Sequence, residues 1–173
     1  MGGGVSMEKI LITNRLSFRK MHEGDVGFLL RIFSDPIAMK YYPSVKNKEE
    51  TVRWINWTLD NYRKFGVGLF IVEDRITGDF LGQCGLVPQK IDGEVKMEIG
   101  YLFVRDHWGN GYATEAAKAC KHYGLEKLKV PTLVSLIDPL NVASIKVSEK
   151  IGMERKSTVQ RKGKLLWVYG LDA

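Results

Sequence analysis

The chain has 173 residues, 45% of them hydrophobic and 27% charged, with a formal net charge of +6. That is the size and balance of one globular domain with a real core. No apolar run approaches the ~18 residues of a membrane span, two cysteines are too few for a disulfide framework, and the surplus Lys and Arg are scattered without a nucleic-acid-binding motif, so neither a membrane nor nucleic acid is the expected partner.

Residues 1–10 read as a flexible Gly-rich leader, with Met7 as an alternative start. Gly2 and Ser6 meet the myristoylation pattern only formally. A single domain is expected over 11–173. Leu16, Ser17, Phe18 and Arg19 alternate as a short strand does. Val26, Leu29, Leu30 and Phe33 form a helical stripe that Pro36 ends. Asn47 with Glu49 and Glu50 marks a second helix start, since carboxylates suit the positive end of the dipole. Val52, Ile55, Leu59 and Tyr62 continue it at helical spacing. Residues 69–72 and 80–87 read as strands joined by Thr77, Gly78 and Asp79. Asp92-Gly93 signals a hairpin into a long strand over 95–104. There Val95, Met97, Ile99, Tyr101 and Phe103 share one face, and Glu98, Gly100, Leu102 and Val104 the other. A helix over 112–126, a buried strand over 132–137 and a helix over 141–151 follow. The last is capped by Asn141 and stopped by Gly152. Two strands near 154–160 and 165–171 complete a mixed α/β domain with an antiparallel meander at its middle. Cys84 and Cys120 lie in apolar stretches and read as buried reduced thiols, which suits a cytoplasmic protein.

Three segments carry chemistry. The first is the loop from Val104 to Glu115. A strand, a Gly-rich turn and a helix N-terminus make an anion site, because first-turn N–H groups lack intrahelical partners and the dipole adds positive charge. Gly109 and Gly111 let backbone approach a phosphate closely; a plain tight turn is the alternative. The loop lacks the Gly-Lys-Ser/Thr ending of a nucleotide P-loop and the three spaced glycines of a dinucleotide fold. The second segment runs from Asp138 to Met153. Asn141, Ser144 and Ser148 are spaced i, i+3, i+7 and share a helix face. They either line a cleft or act as a cap and two hydroxyls bonded to the preceding turn. The third is Glu98, a carboxylate in the middle of an apolar strand. It is either solvated or set in a cleft, where burial would raise its pKa toward the range of a general base.

Together these segments resemble the GNAT superfamily of N-acetyltransferases, most closely its ribosomal-protein N-acetyltransferase (RimJ/RimL-like) branch. The resemblance runs from Leu11 to Leu171 and is most specific at Trp108-Gly109-Asn110-Gly111-Tyr112-Ala113-Thr114-Glu115-Ala116. Trp108 stands where the superfamily loop has Gln or Arg. Glu98-Ile99-Gly100-Tyr101 matches the strand before that loop. Asn141-Val142-Ala143-Ser144 and Lys150-Ile151-Gly152-Met153 match the second cofactor motif. The resemblance implies a mostly antiparallel sheet of about seven strands, with about four helices and two central parallel strands splayed apart. It implies acetyl-CoA as cosubstrate. Gly109, Asn110, Gly111, Tyr112, Ala113 and Thr114 would hold its pyrophosphate. Leu102, Phe103 and Val104 would pair with its pantetheine arm, and Asn141 and Ser144 would contact that arm. The acetyl group would pass directly to an amine, either a protein N-terminus or a small molecule. Glu98 would take the proton that a charged ammonium must lose, and the Val104 N–H would stabilise the oxyanion. Many superfamily members carry a Tyr as general acid seven residues after this Asn; here the position is Ser148.

A non-catalytic acyl-CoA sensor is the rival reading. The acceptor would be set by the two early helices and by loops 41–48 and 89–94. Trp54 and Trp57 read as core packing, with a place on that side as the alternative. His22, His107 and His122 lack ligand spacing, so no metal site is implied. The resemblance is compatible with a homodimer.

Overall fold

The computed structural model describes residues 8–173; Gly2, Ser6 and Met7, with the rest of the Gly-rich start, lie outside the described residues. The chain runs β1 (Lys9–Ile12), β2 (Leu16–Lys20), α1 (Val26–Phe33), α2 (Lys48–Phe65), β3 (Leu69–Asp74), β4 (Phe80–Ile91) and β5 (Glu94–Phe103). It continues through α3 (Tyr112–His122), β6 (Thr132–Ile137), α4 (Val142–Lys150), β7 (Glu154–Arg161) and β8 (Lys164–Asp172). Among the described residues the mixed α/β architecture with four helices is the expected one, and the sheet has eight strands where about seven were expected. The added strand is β1, whose 4 residues include Lys9 and Ile10. Four residues give alternation too little length to register.

The strand order is β1-β2-β3-β4-β5-β6-β8-β7. Every neighbouring pair is antiparallel except β5 and β6. Asp92 and Gly93 take φ values of 50° and 82°, as a two-residue primed hairpin turn requires. Helix α2 starts on a reciprocal cap. Asn47 Oδ1 accepts from the Glu50 N–H at 2.8 Å, and Glu50 Oε1 accepts from the Asn47 N–H at 3.0 Å. The helix predicted to reach residue 126 does so with a change of winding, since α3 passes into a π turn at Tyr123–Lys127.

Gln83 and Cys84 are neighbours on β4 and so point to opposite faces. Gln83 Oε1 accepts from the Trp54 indole of α2 at 3.1 Å, while Cys84 Sγ lies 3.6 Å from Cys120 Sγ of α3. Phe33 of α1 packs edge-on against Trp54, and Lys121 of α3 donates to the Ile151 carbonyl at the end of α4. Helices α1 and α2 therefore cover one face and α3 and α4 the other. Phe18, Phe33, Phe70 and Leu86 are fully buried between these layers. Both cysteines are free and buried, and burial pushes the Cys84 thiol well up, away from nucleophilic use. No helix among the described residues is long and apolar enough to cross a membrane.

Strands β5 and β6 are in register only at Met97↔Leu133 and Glu98↔Val134. Past Glu98 they part, which is the splay expected of the two parallel strands.

Candidate active site

A cavity of about 380 Å³ opens where β5 and β6 separate, within the usual range for a small-molecule site. Its walls include Glu98, Gly100, Tyr101 and Leu102 of β5, Ser135 and Ile137 of β6, and Trp54 and Trp57 of α2. Tyr42 and Lys46 close it from the segment before α2, and Arg161 and Lys162 from the end of β7. A second cavity of about 190 Å³ shares Tyr42, Ser144 and Lys162 with the first and extends to Asn141. Trp54 and Trp57 both line the larger cavity, the alternative place the sequence offered them, and Trp54 also packs against the core as the first reading had it.

The exposed edge of β5 decides which backbone groups can meet a ligand. Val104 donates its N–H to the Leu81 carbonyl at 2.9 Å. Its expected role as oxyanion donor is thereby overturned, because the amide already has a partner inside the sheet. Along an antiparallel pair the bonding direction alternates, so the Leu102 and Gly100 amides also face β4. Those of Tyr101 and Phe103 face the gap. The same parity appears at Ile99, whose carbonyl accepts from Ser135 Oγ of β6 at 2.9 Å.

Glu98 spans the point of separation. Its Oε2 accepts from the Leu136 N–H at 2.7 Å, and its Oε1 from Gln89 Nε2 at 2.9 Å. Burial lifts the carboxyl to about 7, against the opposing pull of these two donors and of Arg161. A group at about 7 holds both protonation states near neutral pH, as a general base must. Tyr101 shares the cavity, and its hydroxyl donates to the Ser144 carbonyl at 3.4 Å. Burial pushes that hydroxyl well above its ordinary value, so it stays protonated.

The Gly-rich loop opens α3 as expected. Gly109 and Gly111 have φ of 82° and 78°, and Gly111 is the N-cap residue. A Cβ at Gly109 would meet nothing within 4 Å, so the backbone conformation, not crowding, calls for glycine there. The first-turn amides of Tyr112, Ala113 and Thr114 follow. Trp108 donates its indole N–H to the Phe103 carbonyl at 3.0 Å, and the Asn110 side chain donates to the His107 carbonyl at 3.0 Å. Sequence reasoning missed the clamp on this loop. Arg15 donates to the Asn110 carbonyl at 2.8 Å and to Glu115 Oε1 at 2.6 Å, and its guanidinium lies 4.5 Å from the centre of the Tyr112 ring. Thr13 Oγ1 donates to Glu115 Oε2 at 2.6 Å. Burial opposes a charged Glu115, but Thr13 and Arg15 outweigh it and hold the carboxyl below its ordinary value.

Of the three-residue row on α4, two reach the gap. Asn141 caps the helix through Oδ1, which accepts from the Ser144 N–H at 3.3 Å. Among the described residues its amide nitrogen has no hydrogen-bond partner. Asn141 and Ser144 line the cavities, whereas Ser148 is 1% exposed and lies outside both walls.

The family model for the acetyltransferase (GNAT) domain matches residues 15–154. The chain is 48% identical over 160 residues to the uncharacterized protein YkkB of Bacillus subtilis (strain 168), covering 92% of this chain and 93% of that one. An acetyltransferase structure from Agrobacterium tumefaciens str. C58 superposes with a TM-score of 0.83 at 29% identity, covering 98% and 97% of the two chains. RimL, a ribosomal L7/L12 alpha-N-protein acetyltransferase solved with coenzyme A, has a TM-score of 0.78 over 95% of this chain and 98% of its own. At 15% identity that likeness is one of fold.

Proposed function

This chain belongs to the GNAT family of acetyltransferases, whose acetyl donor is acetyl-CoA, and from that premise we propose that it is an N-acetyltransferase moving acetyl directly onto an amine held beside Glu98. The observation that carries this reading is the Glu98 carboxyl set in the β5–β6 gap, held by the Leu136 N–H and pushed up to about 7 by burial. Acetyl-CoA supplies an activated acyl carbon and a good leaving thiolate. The residues present suit it. The N-terminus of α3 offers the amides of Gly109, Asn110, Gly111, Tyr112, Ala113 and Thr114 to a pyrophosphate. The gap-facing edge of β5 at Tyr101 and Phe103 offers amides to an extended arm, with Leu102 in the wall and Val104 at its end. Asn141 and Ser144 stand on the opposite side.

Glu98 accepts a proton from the incoming ammonium, freeing the nitrogen lone pair. The Tyr101 and Phe103 N–H groups are fixed donors for the negative charge that builds on the acyl oxygen. The departing thiolate needs little acid, since a thiol titrates near 8.5. Tyr101 supplies the proton, because its hydroxyl is in the cavity. Ser148, the position the sequence offered, is buried and lines neither cavity. The domain is taken as 9–173, with β1 included, and the two free buried thiols fit a cytoplasmic protein.

The test is thiol release from acetyl-CoA with a panel of amines and N-terminal peptides. Acceptor-dependent release that falls in Asn141→Ala is the expected result. Calorimetric binding of acetyl-CoA with no release for any acceptor would replace the enzyme with an acyl-CoA sensor.

A further inference from the structure

The cavity mouth carries more positive charge than proton abstraction calls for. Lys46 and Lys162 both line it. Lys162 sits at φ 50° beside Gly163 at φ 74°, so the tight turn between β7 and β8 fixes where its stem departs. The Lys46 ammonium lies 5.1 Å from the centre of the Trp54 ring and 5.8 Å from that of Phe33, at the edge of the aromatic wall. Burial lowers the pKa of Lys46, Glu50 opposes this, and the charge of Lys162 lowers it again. The two ammoniums thus feel each other across the opening.

Glu50 also lines the cavity; its carboxylate is held in the α2 cap by the Asn47 N–H and offsets part of the Lys46 charge, leaving that of Lys162 unbalanced. The other charges nearby are engaged. Arg161 donates to the Gln160 and Lys90 carbonyls, and its charge acts on Glu98. Lys164 pairs with Asp138. Among the described residues neither Lys46 nor Lys162 is in an ion pair. When Glu98 takes a proton it becomes neutral, and the positive balance at the mouth grows.

We propose that the acceptor is a small amine that also carries an anionic group, a carboxylate or a phosphate, seated between Lys46 and Lys162 with the amine toward Glu98. This rests on the acetyl-transfer reading above and names its substrate class. An anion between two like charges removes their repulsion and gains two attractions. A polyamine would bring a second ammonium to the same lysines and be disfavoured. Trp54, Trp57, Tyr42 and Leu166 line the space between and suit an apolar body. The reaction is unchanged: the N–C bond forms, the C–S bond breaks, one ammonium proton goes to Glu98, the second leaves nitrogen as the amide forms and restores the proton that Tyr101 gives the thiolate, and the anion is only held.

The experiment compares kcat/KM for phenylalanine, phenylalaninamide and phenethylamine, and for phosphoethanolamine against ethanolamine, with putrescine as the dication. The wild type should favour the anionic member of at least one set by about fivefold per cation, the upper range of a partly exposed ion pair. Which set shows the preference separates carboxylate from phosphate. Lys46→Gln combined with Lys162→Gln should bring the anionic-to-neutral ratio close to one. Lys162→Glu should move it toward putrescine, and thermal melts report whether each variant is folded. Wild-type preference for neutral or dicationic amines overturns the proposal, as does a preference that survives the double substitution. Glu98-dependent turnover of neutral amines alone rejects the anionic acceptor but keeps the acetyltransferase. No acceptor-dependent release from any member rejects both.

Discussion

Replacing Glu98 with Gln removes the base and keeps its shape. A Gln oxygen can accept from the Leu136 N–H as Glu98 does at 2.7 Å, and the Gln89 amide at 2.9 Å can turn end for end to receive the new NH2 group. Losing a general base lowers kcat by roughly 10²–10⁴, about 3–5 kcal/mol in the barrier. With its carboxyl at about 7, the wild type should lose activity about tenfold per pH unit below neutrality. Glu98→Gln should lack that limb and keep only the one set by the amine's own ionisation. Stability should move the other way. The folded pKa lies above the ordinary value of 4.5, so the folded chain binds the extra proton between the two. The stability this provides is complete below about pH 4.5 and is lost as pH rises through about 7. Charged Glu98 therefore destabilises the neutral-pH protein by roughly 3 kcal/mol at most, less once water in the cavity screens it. Glu98→Gln should melt at a higher temperature above about pH 7, with the gain shrinking toward about pH 5. The assay pairs thiol release across this range with thermal melts. A loss under about threefold in kcat, or a retained limb near pH 7 in a folded variant, would refute the argument.

Asn141→Ala should lose the helix cap, about 1 kcal/mol, together with acetyl-CoA affinity. Asn141→Asp keeps a capping oxygen, removes the amide donor and adds a negative charge that suits the helix N-terminus but not an anionic cofactor. It should melt like the wild type yet bind acetyl-CoA about tenfold more weakly by calorimetry, the weight of one good hydrogen bond. Gly111→Ala puts a side chain at φ 78°, which costs about 1–2 kcal/mol, and should raise the KM for acetyl-CoA. Gly93→Ala, at φ 82° in the distant β4–β5 turn, should cost similar stability and leave that KM alone. Tyr101→Phe should slow kcat several-fold more than Ser148→Ala, because the first hydroxyl lines the cavity and the second is 1% exposed; equal losses would return the proton-donor role to Ser148.

Much of the site was legible because it is local. The Gly-rich turn, the Asn141 cap and the mid-strand Glu98 each show within about ten residues what their backbone must do. The error over Val104 was also avoidable from sequence. A two-residue turn at Asp92-Gly93 makes Ile91 and Glu94 a hydrogen-bonded pair, and alternation then carries bonding toward β4 to every even-numbered residue up to Val104. The register is the one the structure shows, with Gly82 opposite Phe103. What sequence could not give depends on distant pairings. The Arg15–Glu115 clamp joins residues 100 apart, and Lys162 lines the same cavity as Lys46 only because the β7–β8 hairpin reaches the opening. Trp54 and Trp57 fit helical spacing equally well in a core or a wall.

The way the sheet divides also explains why the base is where it is. Beyond Met97 and Glu98, β5 and β6 no longer exchange backbone bonds, and each freed polar group needs a partner. The Ile99 carbonyl finds the Ser135 hydroxyl and the Leu136 N–H finds the Glu98 carboxyl. Two side chains thus take over where the ladder stops. The hydrogen bond from Leu136 holds Glu98 partly ionised against burial that would otherwise protonate it further. A single backbone event, the separation of two parallel strands after two residue pairs, therefore opens room for a thioester, leaves the gap-facing Tyr101 and Phe103 amides without a strand partner and tunes the carboxyl to about 7. A substitution that re-zipped β5 and β6 would remove the cavity, the donors and the base together.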